Sequence, residues 1–261
     1  MEQPFTEEQI RRYSRHILLP QIGGRGQQKL LASKVLVVGM GGLGCPASYY
    51  LAAAGVGTLG LVDKDVVDTS NLQRQILYST KDLGRPKVEC ARERLQALNP
   101  DCKVIAYQES FTEENARDFV SGYDVVIDGA DNFPTRYALN QACLEEGVPL
   151  CHAAIYRLDG QATTIVPGKT PCYRCIYPEP PPADAMPTCR DAGLLGAIPG
   201  VMGIIEATEA IKLIIGIGKP LLGEMVTYSG LTMEFQKVKL RRNPRCPACG
   251  DEREGGAQCQ N

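Results

Sequence analysis

Val35-Leu36-Val37-Val38-Gly39-Met40-Gly41-Gly42-Leu43-Gly44 decides the fold. Four aliphatic residues stopped by a glycine read as a short strand buried on both faces. Gly39, Gly41 and Gly44 then complete a G-x-G-x-x-G pattern, with Gly42 as a further glycine inside it. Gly42 to Ala54 is expected as a helix and Thr58 to Val62 as the next strand, which together make a β-α-β unit. Val35 to Val62 carries no charged residue over 28 positions, but seven glycines and Pro46 within it argue against a membrane span.

Working outward, Thr6-Glu7-Glu8-Gln9 is a capping box, followed by Ile10, Tyr13, Ile17 and Leu18 at helical spacing. On the other side, Pro86 opens a helix that runs to about Asn99-Pro100. Cys102 to Tyr107 reads as a strand, Thr112 to Val120 as a helix capped by Thr112, and Val125 to Asp128 as a strand. Such alternation predicts an α/β fold with a doubly wound, mostly parallel, Rossmann-like sheet. Five prolines between Pro178 and Pro187 exclude helix and central strand, so a long surface loop or crossover is expected there. Ile198 to Ile215 is a helix by pattern, and Glu224 to Tyr228 and Met233 to Leu240 continue the sheet as antiparallel strands. Residues 251–261 are polar and are expected to form a flexible tail.

With 261 residues and 44% hydrophobic content, the chain can bury one large core. The expected organisation is a single domain over 1–250. Residues 1–170 form its first part, and 171–250 hold the crossover loop and the two C-terminal strands. A net charge of -2 provides no field to collect nucleic acid or an anionic membrane surface. Met1-Glu2-Gln3-Pro4 lacks the features of a secretory signal, which makes the cytoplasm the expected location. Eleven irregularly scattered cysteines do not resemble a secreted disulfide framework.

The glycine loop, before a helix and after a strand, lets backbone approach phosphate, whose charge the helix N-terminus favours. Asp63 ends the following strand about 20 residues on, where a carboxylate can accept from ribose hydroxyls. These residues alone suggest NAD, or glycines that merely allow tight strand–helix packing. Ser70-Asn71-Leu72-Gln73-Arg74-Gln75 and Lys87 turn the reading toward ATP. Arg74 offers a planar fork and Lys87 a point charge to a polyphosphate, the alternative being solvated surface charges. Asp131, in Asp128-Gly129-Ala130-Asp131-Asn132, follows a strand at the ligand-binding edge of an open parallel sheet, and is a candidate metal ligand or a helix N-cap.

Cys172-Tyr173-Arg174-Cys175 and Cys246-Pro247-Ala248-Cys249 are two C-x-x-C pairs, enough for a closed tetrahedral Zn²⁺ site; redox-active pairs are the rival. Cys189 follows the proline-rich stretch beside Arg190, which can lower its pKa, so it is a candidate nucleophile with a spectator thiol as the alternative. His16 and His152 are the only histidines. They leave little material for a histidine-based triad. His152 is expected at the end of a buried strand, and His16 facing the domain from the first helix.

These motifs, in this order, resemble the ThiF/MoeB/HesA-type sulfur-carrier protein adenylyltransferases, relatives of the ubiquitin-activating enzymes. Matching segments run from Arg12-Tyr13-Ser14-Arg15 to Arg242-Asn243-Pro244-Arg245-Cys246-Pro247-Ala248-Cys249-Gly250. The resemblance implies ATP-dependent adenylation of the C-terminal glycine carboxylate of a ubiquitin-like sulfur carrier ending in Gly-Gly. It implies that Gly39, Gly41, Gly42, Gly44, Asp63, Ser70, Asn71, Leu72, Gln73, Arg74, Lys87, Asp131 and Asn132 bind the nucleotide. Asp131 would hold Mg²⁺, and Arg15 would reach the triphosphate of the neighbouring subunit of a homodimer. In some relatives a cysteine placed like Cys189 links covalently to the carrier. With no sulfurtransferase segment after Cys249, sulfur is expected from a separate donor such as a cysteine desulfurase or sulfurtransferase. The competing readings are a NAD-binding oxidoreductase and a catalytically inactive, zinc-stabilised scaffold.

Overall fold

The computed structural model describes residues 5–180 and 193–250. Its chain order is α1 (Glu7–Ile17), α2 (Gly23–Ala32), β1 (Lys34–Val38), α3 (Gly44–Ala54), β2 (Thr58–Val62), α4 (Lys87–Leu98), β3 (Lys103–Tyr107), α5 (Ala116–Val120) and β4 (Val125–Asp128). It continues with α6 (Phe133–Glu146), β5 (Leu150–Tyr156), β6 (Asp159–Ile165), α7 (Tyr173–Ile176), α8 (Ala197–Ile215), β7 (Glu224–Ser229) and β8 (Glu234–Lys239).

One sheet takes all of these strands in the order β3-β2-β1-β4-β5-β6-β7-β8. The first five are parallel to their neighbours, and the antiparallel pairs β5–β6, β6–β7 and β7–β8 continue the sheet. The doubly wound sheet with antiparallel C-terminal strands is therefore as the pattern predicts. Strand order reverses between β1 and β4, and an open α/β sheet binds ligands in the crevice at the carboxyl ends of such a pair.

Apart from Lys34 at the start of β1 and Asp128 at the end of β4, these two strands are aliphatic because both faces are covered. Val35, Val37, Val125 and Ile127 pack toward α3, α4 and α8, while Leu36, Val38 and Val126 pack toward α6. Each such side chain contributes about 1.5–3 kcal/mol when fully buried. Only β8 is exposed along its whole length.

Several boundaries differ for physical reasons. α3 begins at Gly44 rather than Gly42, because Gly41 and Gly42 stay in the turn and Leu43 caps the helix without a side-chain bond. α5 begins after Asn115 rather than at Thr112: Asn115 Oδ1 accepts from Thr112 N at 2.8 Å, a local turn that competes with helix. His152 is the third residue of β5, inside the strand and not at its end. The Thr6 capping box forms as expected. Cys189, Arg190, Pro181, Pro182, Pro187 and the 251–261 tail lie outside the described residues.

Candidate active site

The loop after β1 and the turn after β4 interlock through glycine backbones. Gly39 has φ +92°, and a Cβ there would stand 2.5 Å from the Gly129 carbonyl oxygen. A Cβ on Gly44 would be 1.9 Å from Gly39 O. Neither approach is possible for any other residue, and the close contact fixes the floor of the site. Above Gly41 the space is open, the nearest atom to a Cβ being Gln75 Nε2 at 3.8 Å. That opening belongs to a cavity of about 500 Å³ lined by Gly39, Gly41, Gly42, Asp63, Arg74, Lys87, Asp131, Asn132 and Arg136 among others.

Asp63 is fixed at the end of β2. Its Oδ2 accepts from Met40 N and its Oδ1 from Asp65 N, each at 2.8 Å. Burial holds this carboxyl above its ordinary range, against the opposing pull of Lys87 and the two N–H donors. Lys87 is the first residue of α4, where the helix dipole disfavours a cation. Its side chain is only 5% exposed, and Nζ lies 2.9 Å from Asp65 Oδ2. An ammonium placed against both burial and dipole is held here by Asp65, on the wall of the cavity that Lys87 lines. Arg74 lies along the loop and donates from Nη1 to Ser70 O at 2.9 Å. Ser70, Asn71, Leu72 and Gln73 are absent from the lining; Ser70 binds Asp68, and Gln73 backs Gly196.

The turn after β4 carries the acidic side of the site. Asn132, not Asp131, caps α6, its Oδ1 accepting from Thr135 N at 3.0 Å. Asp131 is exposed to the cavity and accepts from Asn132 Nδ2 at 3.3 Å. Its carboxylate is thus free of the capping duty and fits a hard cation. Arg15 is exposed on α1 and does not line this chain's own cavity. His16 Nδ1 lies 3.1 Å from Gln27 Oε1, away from the site.

Three features of the site have no role in the sequence reading: the Asp128–His152 pair, Arg136 and Glu206. Asp128 Oδ2 pairs with His152 Nδ1 at 2.7 Å, and since a carboxylate only accepts, Nδ1 carries the proton. Burial pushes the His152 pKa down and keeps the ring neutral, against Asp128. Arg136 reaches back from the first turn of α6 to donate to Ala130 O at 2.9 Å. Glu206 on α8 is 1% exposed, and neither of its oxygens has a hydrogen-bond partner in the described residues. Burial raises its carboxyl well above the usual range, with the Asp128 charge adding to it. Phe-Pro-Thr-Arg after an N-cap asparagine was the one available hint for Arg136.

A second cavity of about 540 Å³ adjoins the first and shares Phe133, Arg136, Ile155 and Tyr156 with it. Its wall is rich in aromatic rings, including Tyr173, Tyr177 and Tyr228. Tyr173 and its neighbours on α7 sit beside the cysteines. The four sulfurs of Cys172, Cys175, Cys246 and Cys249 lie within 4.8 Å of one another. Cys172 and Cys246 are 3.6 Å apart and Cys175 and Cys249 3.4 Å, too far for disulfides. Four thiolates on a tetrahedron with metal–sulfur bonds of about 2.3 Å stand about 3.8 Å apart, so the donor set fits Zn²⁺ with no position left for water.

The ThiF family matches residues 13–248. The chain is 50% identical over 253 residues to the sulfur carrier protein adenylyltransferase of Thermus thermophilus, covering 95% of this chain and 93% of that one. It is also 50% identical over 248 residues to the SAMP-activating enzyme E1 of Haloferax volcanii, covering 95% and 90%. Among solved structures, E. coli MccB with MccA-N7isoASN matches with a TM-score of 0.81 and 26% identity, over 92% of this chain and 75% of that one. A family match over residues 13–248 and half-identical relatives covered over nearly their whole length show that the chain belongs to the ThiF family.

Proposed function

We propose that this chain uses ATP to adenylate the C-terminal glycine carboxylate of a ubiquitin-like sulfur carrier ending in Gly-Gly, preparing it for thiocarboxylate formation. The observation that carries this reading is Lys87, a nearly buried ammonium facing an open glycine loop across from the free carboxylate of Asp131. The names of the two half-identical relatives support it. Neither oxidoreductase chemistry nor an inert scaffold explains a buried cation aimed at a phosphate cradle.

A carboxylate oxygen attacks the α-phosphorus, the bond to the β-phosphate oxygen breaks, and pyrophosphate leaves with that electron pair. The chain's part is to hold the two anions in line and to stabilise charge on the departing phosphates. Arg74 and Lys87 face the triphosphate from this subunit, and Arg15 reaches it from the partner subunit of a homodimer. Gly39, Gly41, Gly42 and Gly44 admit the phosphates, Asp63 orients the ribose, Asn132 shapes the wall, and Ser70 to Gln73 support Arg74 from behind the lining. Asp131 holds Mg²⁺, which when bound neutralises phosphate charge. The carrier's tail enters through the aromatic cavity. Cys172, Cys175, Cys246 and Cys249 hold a structural zinc that braces it.

Residues 1–170 form the nucleotide-binding part of a domain spanning 1–250, with 171–250 serving the metal and the carrier and 251–261 a flexible tail. The protein works in the cytoplasm, and a separate cysteine desulfurase or sulfurtransferase supplies sulfur. Cys189 is the position to examine for a covalent link to the carrier. Exchange of labelled pyrophosphate into ATP, with and without each candidate carrier, tests the reading. Exchange is expected only with a carrier present, and a carrier-independent rate refutes it.

A further inference from the structure

Among the described residues lining the aromatic cavity, Arg136 is the one cation, facing two acids, Asp159 and Glu234. It stands where this cavity joins the glycine-floored one. Its side chain is 11% exposed, and its Nε, 3.8 Å from Asp128 Oδ2, has no hydrogen-bond partner among the described residues. At that separation Asp128 attracts the guanidinium without consuming its fork. Asp128 is in turn held on both oxygens, by Ala130 N at 3.1 Å and by His152 at 2.7 Å. The Phe133 ring lies beneath the guanidinium carbon at 6.0 Å. The result is a guanidinium held by carboxylate, carbonyl and ring, its buried Nε turned toward Asp128 and its charge standing at the joint between two cavities.

An anion travelling through the aromatic cavity meets repulsion from Asp159 and Glu234 and attraction only at this joint. Arg74 and Lys87 line the nucleotide cavity alone. We propose that Arg136 receives the carrier's terminal carboxylate and directs one oxygen at the α-phosphorus, with Asp128 and His152 as positioning residues for the guanidinium. The assignment rests on the adenylation reading and names the residue that orients the nucleophile. Arg136 stays protonated throughout and transfers no proton; it screens one anion from the other until the new oxygen–phosphorus bond forms.

A short fluorescent peptide ending in Gly-Gly, made as the free acid and as the C-terminal carboxamide, separates a charge contact from a structural role. The wild type is expected to bind the acid about 10-fold or more tighter than the amide, the ratio a hydrogen bond to a charged group provides. In Arg136→Gln that ratio falls to about 2-fold or less. Arg136→Lys, which keeps the charge but not the fork, falls between, and His152→Ala lowers the ratio without abolishing it. Because each ratio is internal to one folded variant, lost stability does not change it. An unchanged ratio in Arg136→Gln, equal loss of acid and amide binding, or no preference in the wild type overturns the assignment. If pyrophosphate exchange with a carrier persists while the ratio ignores Arg136, adenylation stands and this assignment falls; if no carrier supports exchange, it is the adenylation reading that fails.

Discussion

Replacing Lys87 with methionine separates what the residue does for the reaction from what it does for the fold. Its side chain is 5% exposed while that of its partner Asp65 is 56% exposed. Removing the ammonium lets Asp65 hydrate, and leaves the half-buried Asp63 held by its two backbone N–H donors. The lost ion pair has one solvated member and is worth about 0–1 kcal/mol. Against this, methionine fills a similar volume and removes the cost of burying an ammonium at a helix N-terminus, which amounts to several kcal/mol before compensation. Stability should be unchanged or higher. Loss of one preorganised donor to the developing phosphate charge costs about 3–4 kcal/mol, or 10²- to 10³-fold in rate. Thermal unfolding and carrier-dependent pyrophosphate exchange, measured on the same sample, read both effects. A variant that melts much earlier yet keeps its exchange rate would refute the reasoning, since Lys87 would then be a structural residue.

Gly39→Ala combines a left-handed backbone with a 2.5 Å approach to Gly129 O, and should lower the unfolding temperature and abolish ATP binding together; backbone strain alone is worth about 1–3 kcal/mol. Cys249→Ser should lower zinc content in elemental analysis, reduce thermal stability, and weaken binding of the Gly-Gly peptide more than binding of ATP, because the four cysteines flank Tyr173 and Tyr177 of the aromatic cavity. Glu206 has a folded-state pKa above its unfolded value, so the native state holds the proton more tightly and stability declines as pH rises from the ordinary glutamate range toward the raised value. Glu206→Gln removes this dependence: unfolding followed from pH 5 to 8 should fall for the wild type, with a slope of at most about 1.4 kcal/mol per pH unit, and stay flatter for the variant.

Much of the nucleotide half was legible because its signals are local. A strand, a glycine turn and a helix occupy consecutive residues, and Lys87, Asp63 and Asp131 each follow a strand or open a helix. Both cysteine pairs were legible from spacing, although only folding brings Cys172 and Cys246 to 3.6 Å. The β5–β6 hairpin was missed because Leu150 to Tyr156 is apolar without alternation and its turn, at Arg157 with φ 55°, contains no glycine. α2 has no sequence signal because three glycines in its first turn weaken helix propensity, and Gly26 sits where Ile215 and Ile22 stand 3.0 Å from the place of a Cβ. Arg136, Asp128 and His152 belong to three elements, and no pattern in one dimension shows that they meet. The capping competition at Asp131 and Asn132 was decided by one hydrogen bond, to Thr135 N.

The mutual contact of Gly39, Gly44 and Gly129 leaves the floor beneath the phosphates no room to breathe. A nucleotide meets a rigid surface and loses little affinity to ordering it. Variants with altered turnover are then expected among rim residues such as Arg74, Lys87 and Asp131, with the floor left untouched.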